Sequence, residues 1–309
     1  CPYLLGSIKD EKVDTIDITA SIIDFAYRGY LKIREFTSSK FLGFGGDKDY
    51  EFIKQKDFTD LNESEQLILN SIFNYKERVI MSVDLKESFY LKVPVIQDHI
   101  YQEMVTKKYF DTRPDQVRDK YVGIGILLII LGGVGLCSLS FLFFIFGIVT
   151  LGMSLIILGS PFLIFANFMP AKTELGSKIL EQILGFRMYM YTAERFRVQD
   201  LTPETFEKFL SYAIVFGIEK KWGERFKDIY KTKPDWFVGE NMNAWDTIYI
   251  VNALSSFHTV TASALTSRPA SSSGGWSSGG SSGGGWSGGG GFSGGFSGGG
   301  GGGGSSGWG

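Results

Sequence analysis

The chain is poor in the residues that most often do chemistry. Its 309 residues include two cysteines and two histidines, too few for a disulfide framework or a histidine-rich metal centre. No His-Glu-x-x-His or Cys-x-x-Cys occurs, so the familiar hydrolytic and redox signatures are missing. Charge of one sign is lacking as well: 31 lysines and arginines face 33 aspartates and glutamates, which gives no net field to draw in nucleic acid. Two stretches have no charge at all, residues 121 to 171 and the end of the chain from 269 onward.

The first of these, from Tyr121 to Ala171, is almost wholly apolar. One helix crosses a bilayer with roughly 20 residues, whereas a single helix of about 48 would reach roughly 72 Å against a hydrocarbon core of ~30 Å. The run therefore predicts a transmembrane hairpin over 120–169, with spans near 121–140 and 146–168. Gly132, Gly133, Gly135, Gly147, Gly152 and Gly159 would let two backbones approach, although glycine is also common in membrane helices generally. Neither span contains an ionisable residue, which argues against an ion pathway or an embedded catalytic group. Cys137 falls in this run and reads as a small hydrophobe. Lys107, Lys108, Arg113, Arg118 and Lys120 precede the hairpin, and Lys172, Lys178, Arg187, Arg195 and Arg197 follow it. The positive-inside rule then places both flanks in the cytoplasm of a multi-pass cell-membrane protein.

Residues 1–119 read as a cytoplasmic, winged-helix-like α/β domain. "DTIDITASIIDFAY" has the helical period and Gly29 stops it; "YLKIREF" and "DYEFIKQ" alternate as a pair of strands should. Asn62 and Glu65 make a capping box for the next helix, and further helices are predicted over 83–92 and from Pro94 onward. Gly43, Gly45, Gly46 and Lys48 lack the spacing and the following helix of a phosphate loop. His99 has no cysteine or second histidine nearby, so it reads as a satisfied or exposed histidine rather than a metal ligand. Basic residues alternate with acidic ones, Lys48 between Asp47 and Asp49, Lys76 beside Glu77. No DNA-binding face is expected.

Residues 170–265 predict a mostly helical cytoplasmic domain, with Thr202 and Pro203 starting one helix. Within it, 243–265 is long enough to span but too polar, and reads as an amphipathic or frayed surface helix. Residues 266–309 are glycine, serine and spaced aromatics, Trp276, Trp286, Phe292, Phe296 and Trp308 among them. Ordering such a backbone costs roughly 1–2 kcal/mol per residue, more than a few aromatics return, and a disordered tail is expected.

"DITASIIDFAYRGYLKI", "DYEFIK", the hairpin ending "MPAKTELG", "GFRMYMYTAE" and "FEKFLSYAIVFGIEKKWGERF", in this order and with the glycine-rich end, resemble the C-terminal half of the DUF2207 (YciQ-like) family of predicted bacterial membrane proteins. The resemblance implies a missing front half, in keeping with a chain that does not begin with methionine. It carries no catalytic, cofactor-binding or metal-binding residues. The positions matching the family motifs are Gly185, Phe186, Tyr189, Ala193, Glu194, Tyr212, Ala213, Gly217, Glu219 and Trp222. The expected fold is an α+β integral membrane protein that needs no cofactor. Its expected role is a membrane-anchored interaction or scaffold protein, with the lipid bilayer and a protein partner or a second copy as its contacts, and no nucleic acid. The alternative is an envelope or lipid-associated component acting at the inner leaflet through the basic residues of 170–265.

Overall fold

A computed structural model describes residues 1–38, 47–139, 146–192, 202–228, 234–239 and 247–267. The chain opens with a helix that the sequence reading did not include, α1 (Pro2–Asp10), with proline in its first turn, where the missing N–H costs nothing. α2 (Thr15–Tyr27) follows, and the Asp17 carboxylate accepts the Asp14 N–H at 3.0 Å. The chain turns through Gly29, at φ 78°, into β1 (Leu31–Ser38), which pairs antiparallel with β2 (Asp47–Lys54) from Leu31↔Lys54 to Ser38↔Asp47. α3 (Glu63–Phe73) has the expected reciprocal cap: Asn62 Oδ1 accepts the Glu65 N–H at 2.9 Å, and the Glu65 carboxylate accepts the Asn62 N–H at 3.3 Å.

The sheet is larger than a hairpin. β3 (Arg78–Ile80) adds beside β2, and β4 (Phe237–Val238) adds parallel to β1, giving the order β3-β2-β1-β4. The helix expected over 83–92 is replaced by a π-helical turn at Met81–Leu85 and a 3-10 turn at Phe89–Leu91. Asp84 causes part of the break by accepting the Ile80 N–H at 2.7 Å, and Glu87, at φ 64°, prevents continuation. α4 (Val93–Thr106) then leads to the apolar pair α5 (Pro114–Leu139) and α6 (Phe146–Phe165). Both are long and apolar enough to cross a membrane, over Pro114–Leu136 and Leu151–Phe168. The turn between them lies outside the described residues.

Four glycines set the hairpin's packing. A Cβ on Gly132 would sit 2.8 Å from the Gly152 carbonyl oxygen, and one on Gly159 would sit 3.0 Å from that of Gly125. Gly133 and Gly135 have nothing within 4 Å. The glycine run thus divides into backbone contacts and open positions, and close approach accounts for the first group.

After the hairpin come α7 (Glu174–Thr192), α8 (Pro203–Phe216), α9 (Glu219–Phe226) and α10 (Thr247–Thr266). Thr202 caps α8 by accepting the Thr205 N–H at 3.2 Å. The reading of 243–265 as a surface helix is corrected by α10. Ile250, Leu254, Phe257 and Leu265 are buried, and the Phe257 ring meets Tyr50 edge-on at 5.0 Å and Phe52 at 5.9 Å. Its apolar positions recur at helical spacing and cover one face of the sheet, while Ser255, Thr259, Ser263 and Thr266 are exposed on the other side and Thr261 is buried with the apolar residues.

The expected boundary between two cytoplasmic domains is likewise not a boundary in the packing. Residues before and after the hairpin share one hydrophobic cluster, running from Tyr3, Phe25 and Phe52 to Phe206, Trp222 and Phe257. Residues 1–269 form one compact unit. An amphipathic element must bury its apolar face, and here the partner lies on the far side of the hairpin in sequence.

Candidate functional site

A concavity of about 570 Å³ lies between α1, α2, α7 and α8. α7 brings Ile183 and Phe186 to it, α8 brings Phe209 and Tyr212, α1 brings Leu4 and Leu5. The pairs on α7 and α8 are three residues apart, and on α1 Ile8 follows Leu4 by four and Leu5 by three, so each helix presents one side to the cleft. Phe186 is the centre of the aromatic wall, edge-on to Phe209 at 5.4 Å, Tyr212 at 5.7 Å and Phe216 at 5.9 Å. Edge-to-face rings at these distances add specific attraction to the area they bury.

Charge enters this apolar surround through α2. Arg28 Nη1 lies 2.6 Å from Glu65 Oε1 and 3.3 Å from Asp24 Oδ2. The two carboxylates are nearly enclosed, with side-chain exposures of 4% and 9%. Burial pushes the Asp24 carboxyl up from its ordinary value, and the Arg28 charge opposes that shift. Burial, with a contribution from Asp24, raises the Tyr212 phenol to about 12. Tyr212 therefore stays neutral under ordinary conditions and enters the cleft as an uncharged aromatic ring. Lys208 stands at the exposed edge of the cleft.

The motif positions from the sequence divide among several roles. Phe186 and Tyr212 line the cleft, and Tyr189 stacks on Phe186 at 6.5 Å while remaining largely exposed. Ala213 and Trp222 are buried, and the Trp222 indole N–H donates to the Phe206 carbonyl at 3.2 Å. Gly217 ends α8 at φ 66°, a left-handed cap that glycine adopts without strain. Glu219 sits in the first turn of α9, where a carboxylate complements the helix dipole. Gly185 is exposed with nothing within 4 Å, and neither packing nor backbone conformation explains it. Ala193 and Glu194 lie outside the described residues.

Two further polar groupings were not anticipated. Ser64 Oγ lies 2.9 Å from His99 Nδ1, and His99 Nε2 lies 3.7 Å from Glu63. Ser64 also donates to Glu103, which accepts the Tyr3 hydroxyl at 3.0 Å. The serine is buried and its bonds tie α3 to α4, so this is a structural link between helices, and His99 is both hydrogen-bonded and partly exposed. The other grouping is the Asp24–Arg28–Glu65 cluster. Its sequence signal was available, an acid and a base four residues apart at the end of a helix most of whose other positions are apolar. No group of three or more metal-ligating side chains occurs among the described residues.

Comparison with known proteins adds one match. The family described as "Predicted membrane protein (DUF2207) C-terminal domain" covers residues 2–226, a range that contains every cleft residue named above. No curated protein and no solved structure matches the chain. With most of its length inside that match, the chain belongs to the DUF2207 family of predicted membrane proteins.

Proposed function

We propose that this chain is a membrane-anchored interaction protein: α5 and α6 hold its helical body at the cytoplasmic face of the cell membrane, and the cleft receives apolar side chains of a protein partner. The observation that carries this reading is the cleft itself, a concavity with an aromatic wall in which Asp24 and Arg28 are already engaged with each other and Lys208 stands at the exposed edge. Groups neutralised in this way favour recognition over reaction, since a catalytic acid or base must be open to its substrate. Sidedness is supported by the basic residues on both flanks of the hairpin, from Lys107 to Lys120 and from Lys172 to Arg197.

The paired charges on the sheet support protein contact over nucleic acid for the winged-helix-like part. Arg34 lies 2.7 Å from Glu51, Lys48 lies 2.5 Å from Glu35 and Lys54 lies 2.8 Å from Asp57. Compensated cations of this kind release few counterions on meeting a phosphate backbone. The expected outcome is a discrete protein adduct when a photoreactive benzoylphenylalanine replaces exposed Lys208 in the full-length protein in cells. Irradiation that leaves the protein unmodified at this position, while the same label placed in α5 reacts, would remove the interaction reading.

A further inference from the structure

The side of α7 turned away from the cleft is left largely uncovered by the described residues. Leu180, Leu184, Met188 and Tyr191 fall on it at spacings of four, four and three residues, which is a single stripe on a helix. Met188 is 67% exposed, Tyr191 46% and Leu184 45%. A helix normally turns only one apolar side inward, and α7 already does so with Ile183, Phe186 and Met190.

The start of α7 is fixed at the base of the hairpin. Glu174 follows the short helical turn Ala166–Phe168 that ends α6. Phe110 and Lys172 form an antiparallel bridge, and the Thr173 N–H donates to the Tyr109 carbonyl at 3.1 Å. The chain entering α5 and the chain leaving α6 are therefore stitched together where α7 begins. From that point a helix of this length extends about 28 Å.

The far end of the stripe is basic. Lys221 Nζ lies 2.6 Å from the Tyr191 hydroxyl and 4.3 Å from the centre of its ring. The Arg225 guanidinium donates to the Met190 and Tyr191 carbonyls. Arg187 borders the stripe and makes no ion pair with any described residue, while Glu181 is the acid on its opposite border. A tyrosine with adjoining lysine and arginine at the margin of an apolar stripe matches the chemistry of a lipid headgroup region.

We infer that α7 lies along the bilayer surface, with Leu184, Met188 and Tyr191 among the headgroups and upper acyl chains and with Lys221 and Arg225 facing lipid phosphates. The bilayer is the occupant because the helix is tethered to its surface at one end and carries cations at the other. This contact uses the side of α7 opposite the cleft and is independent of any partner in the cleft.

The test uses the full chain with Cys1 and Cys137 replaced by serine, reconstituted in nanodiscs of phosphatidylcholine and phosphatidylglycerol. Single cysteines at Met188, at Gln182 on the polar side of α7 and at Ile157 in α6 are labelled with a polarity-sensitive fluorophore. Label at 188 is expected to show blue-shifted emission and quenching by doxyl-labelled lipid, as at 157, while label at 182 stays accessible to iodide. Equal iodide access at 188 and 182, with 157 still quenched by lipid, overturns the inference and leaves the hairpin reading intact. Loss of quenching at 157 as well would instead remove the membrane reading. Protection at 188 that disappears when the protein is diluted to one copy per disc would assign the stripe to a second copy and also overturn the inference. Met188→Glu provides an independent check, expected to keep the folded body's circular dichroism while label at Leu184 becomes accessible to iodide.

Discussion

Replacing Gly132 by alanine tests the hairpin most directly. The added methyl would sit 2.8 Å from the Gly152 carbonyl oxygen and 2.8 Å from Ile156 Cγ1, where ordinary contact begins near 3.4 Å. One of those neighbours is backbone and cannot rotate away, so α5 and α6 must part locally by about 0.6 Å, enough to lose roughly a quarter to a half of the dispersion energy of each separated atom pair. Overpacking of this kind costs about 1–3 kcal/mol. Alanine's better helix propensity returns up to about 1 kcal/mol. Gly133→Ala collects the propensity gain alone, because nothing lies within 4 Å of its added methyl. The two neighbouring variants should therefore differ by about 1–3 kcal/mol, with Gly132→Ala the less stable. Reversible unfolding in mixed micelles of nonionic detergent and dodecyl sulfate, followed by energy transfer between fluorophores on α5 and α6, measures that difference. Equal stability of the two variants would refute the reasoning that backbone contact at Gly132 and Gly152 holds the helices together.

Two other perturbations address the body. Burial pushes the Asp17 carboxyl well above its ordinary value, so the folded state holds that proton more tightly than the unfolded chain. Its contribution is then most favourable below about pH 4 and is lost as pH rises toward the folded-state value. Asp17→Asn, which keeps an acceptor for the Asp14 N–H, should be roughly 1–3 kcal/mol more stable at pH 7, with the gap closing in thermal melts near pH 4. Arg28→Met leaves Glu65 and Asp24 buried without their cation and should cost about 3 kcal/mol, the low end for a broken buried pair because Arg28 is 33% exposed. A second substitution, Glu65→Gln, should restore part of that loss in denaturant titrations.

Features with local causes were legible in the sequence. The charge-free run from Tyr121 to Ala171 fixes two apolar helices because only bilayer length and residue composition enter. The caps at Asn62 and Thr202 and the alternation in β1 and β2 also depend on hydrogen bonds and side-chain directions within a few residues. Where the reading departed from the structure, a local rule met a competing bond, as when Asp84 took the Ile80 N–H and a helix expected over 83–92 became two short turns.

What only the tertiary structure decided is which apolar faces meet. β4 pairs with β1 across some two hundred residues, and α10 looks too polar for a core helix until Phe257 is placed on Tyr50 and Phe52. The cleft exists only because α7 and α8 return to α1 and α2 after the hairpin. Burial of apolar surface is non-directional: periodicity along a helix shows that a face must be covered, and the packing of the whole chain selects its partner. For α7 that packing covers one face and leaves the other, through Leu184 and Met188, open at the end of a segment stitched to the hairpin.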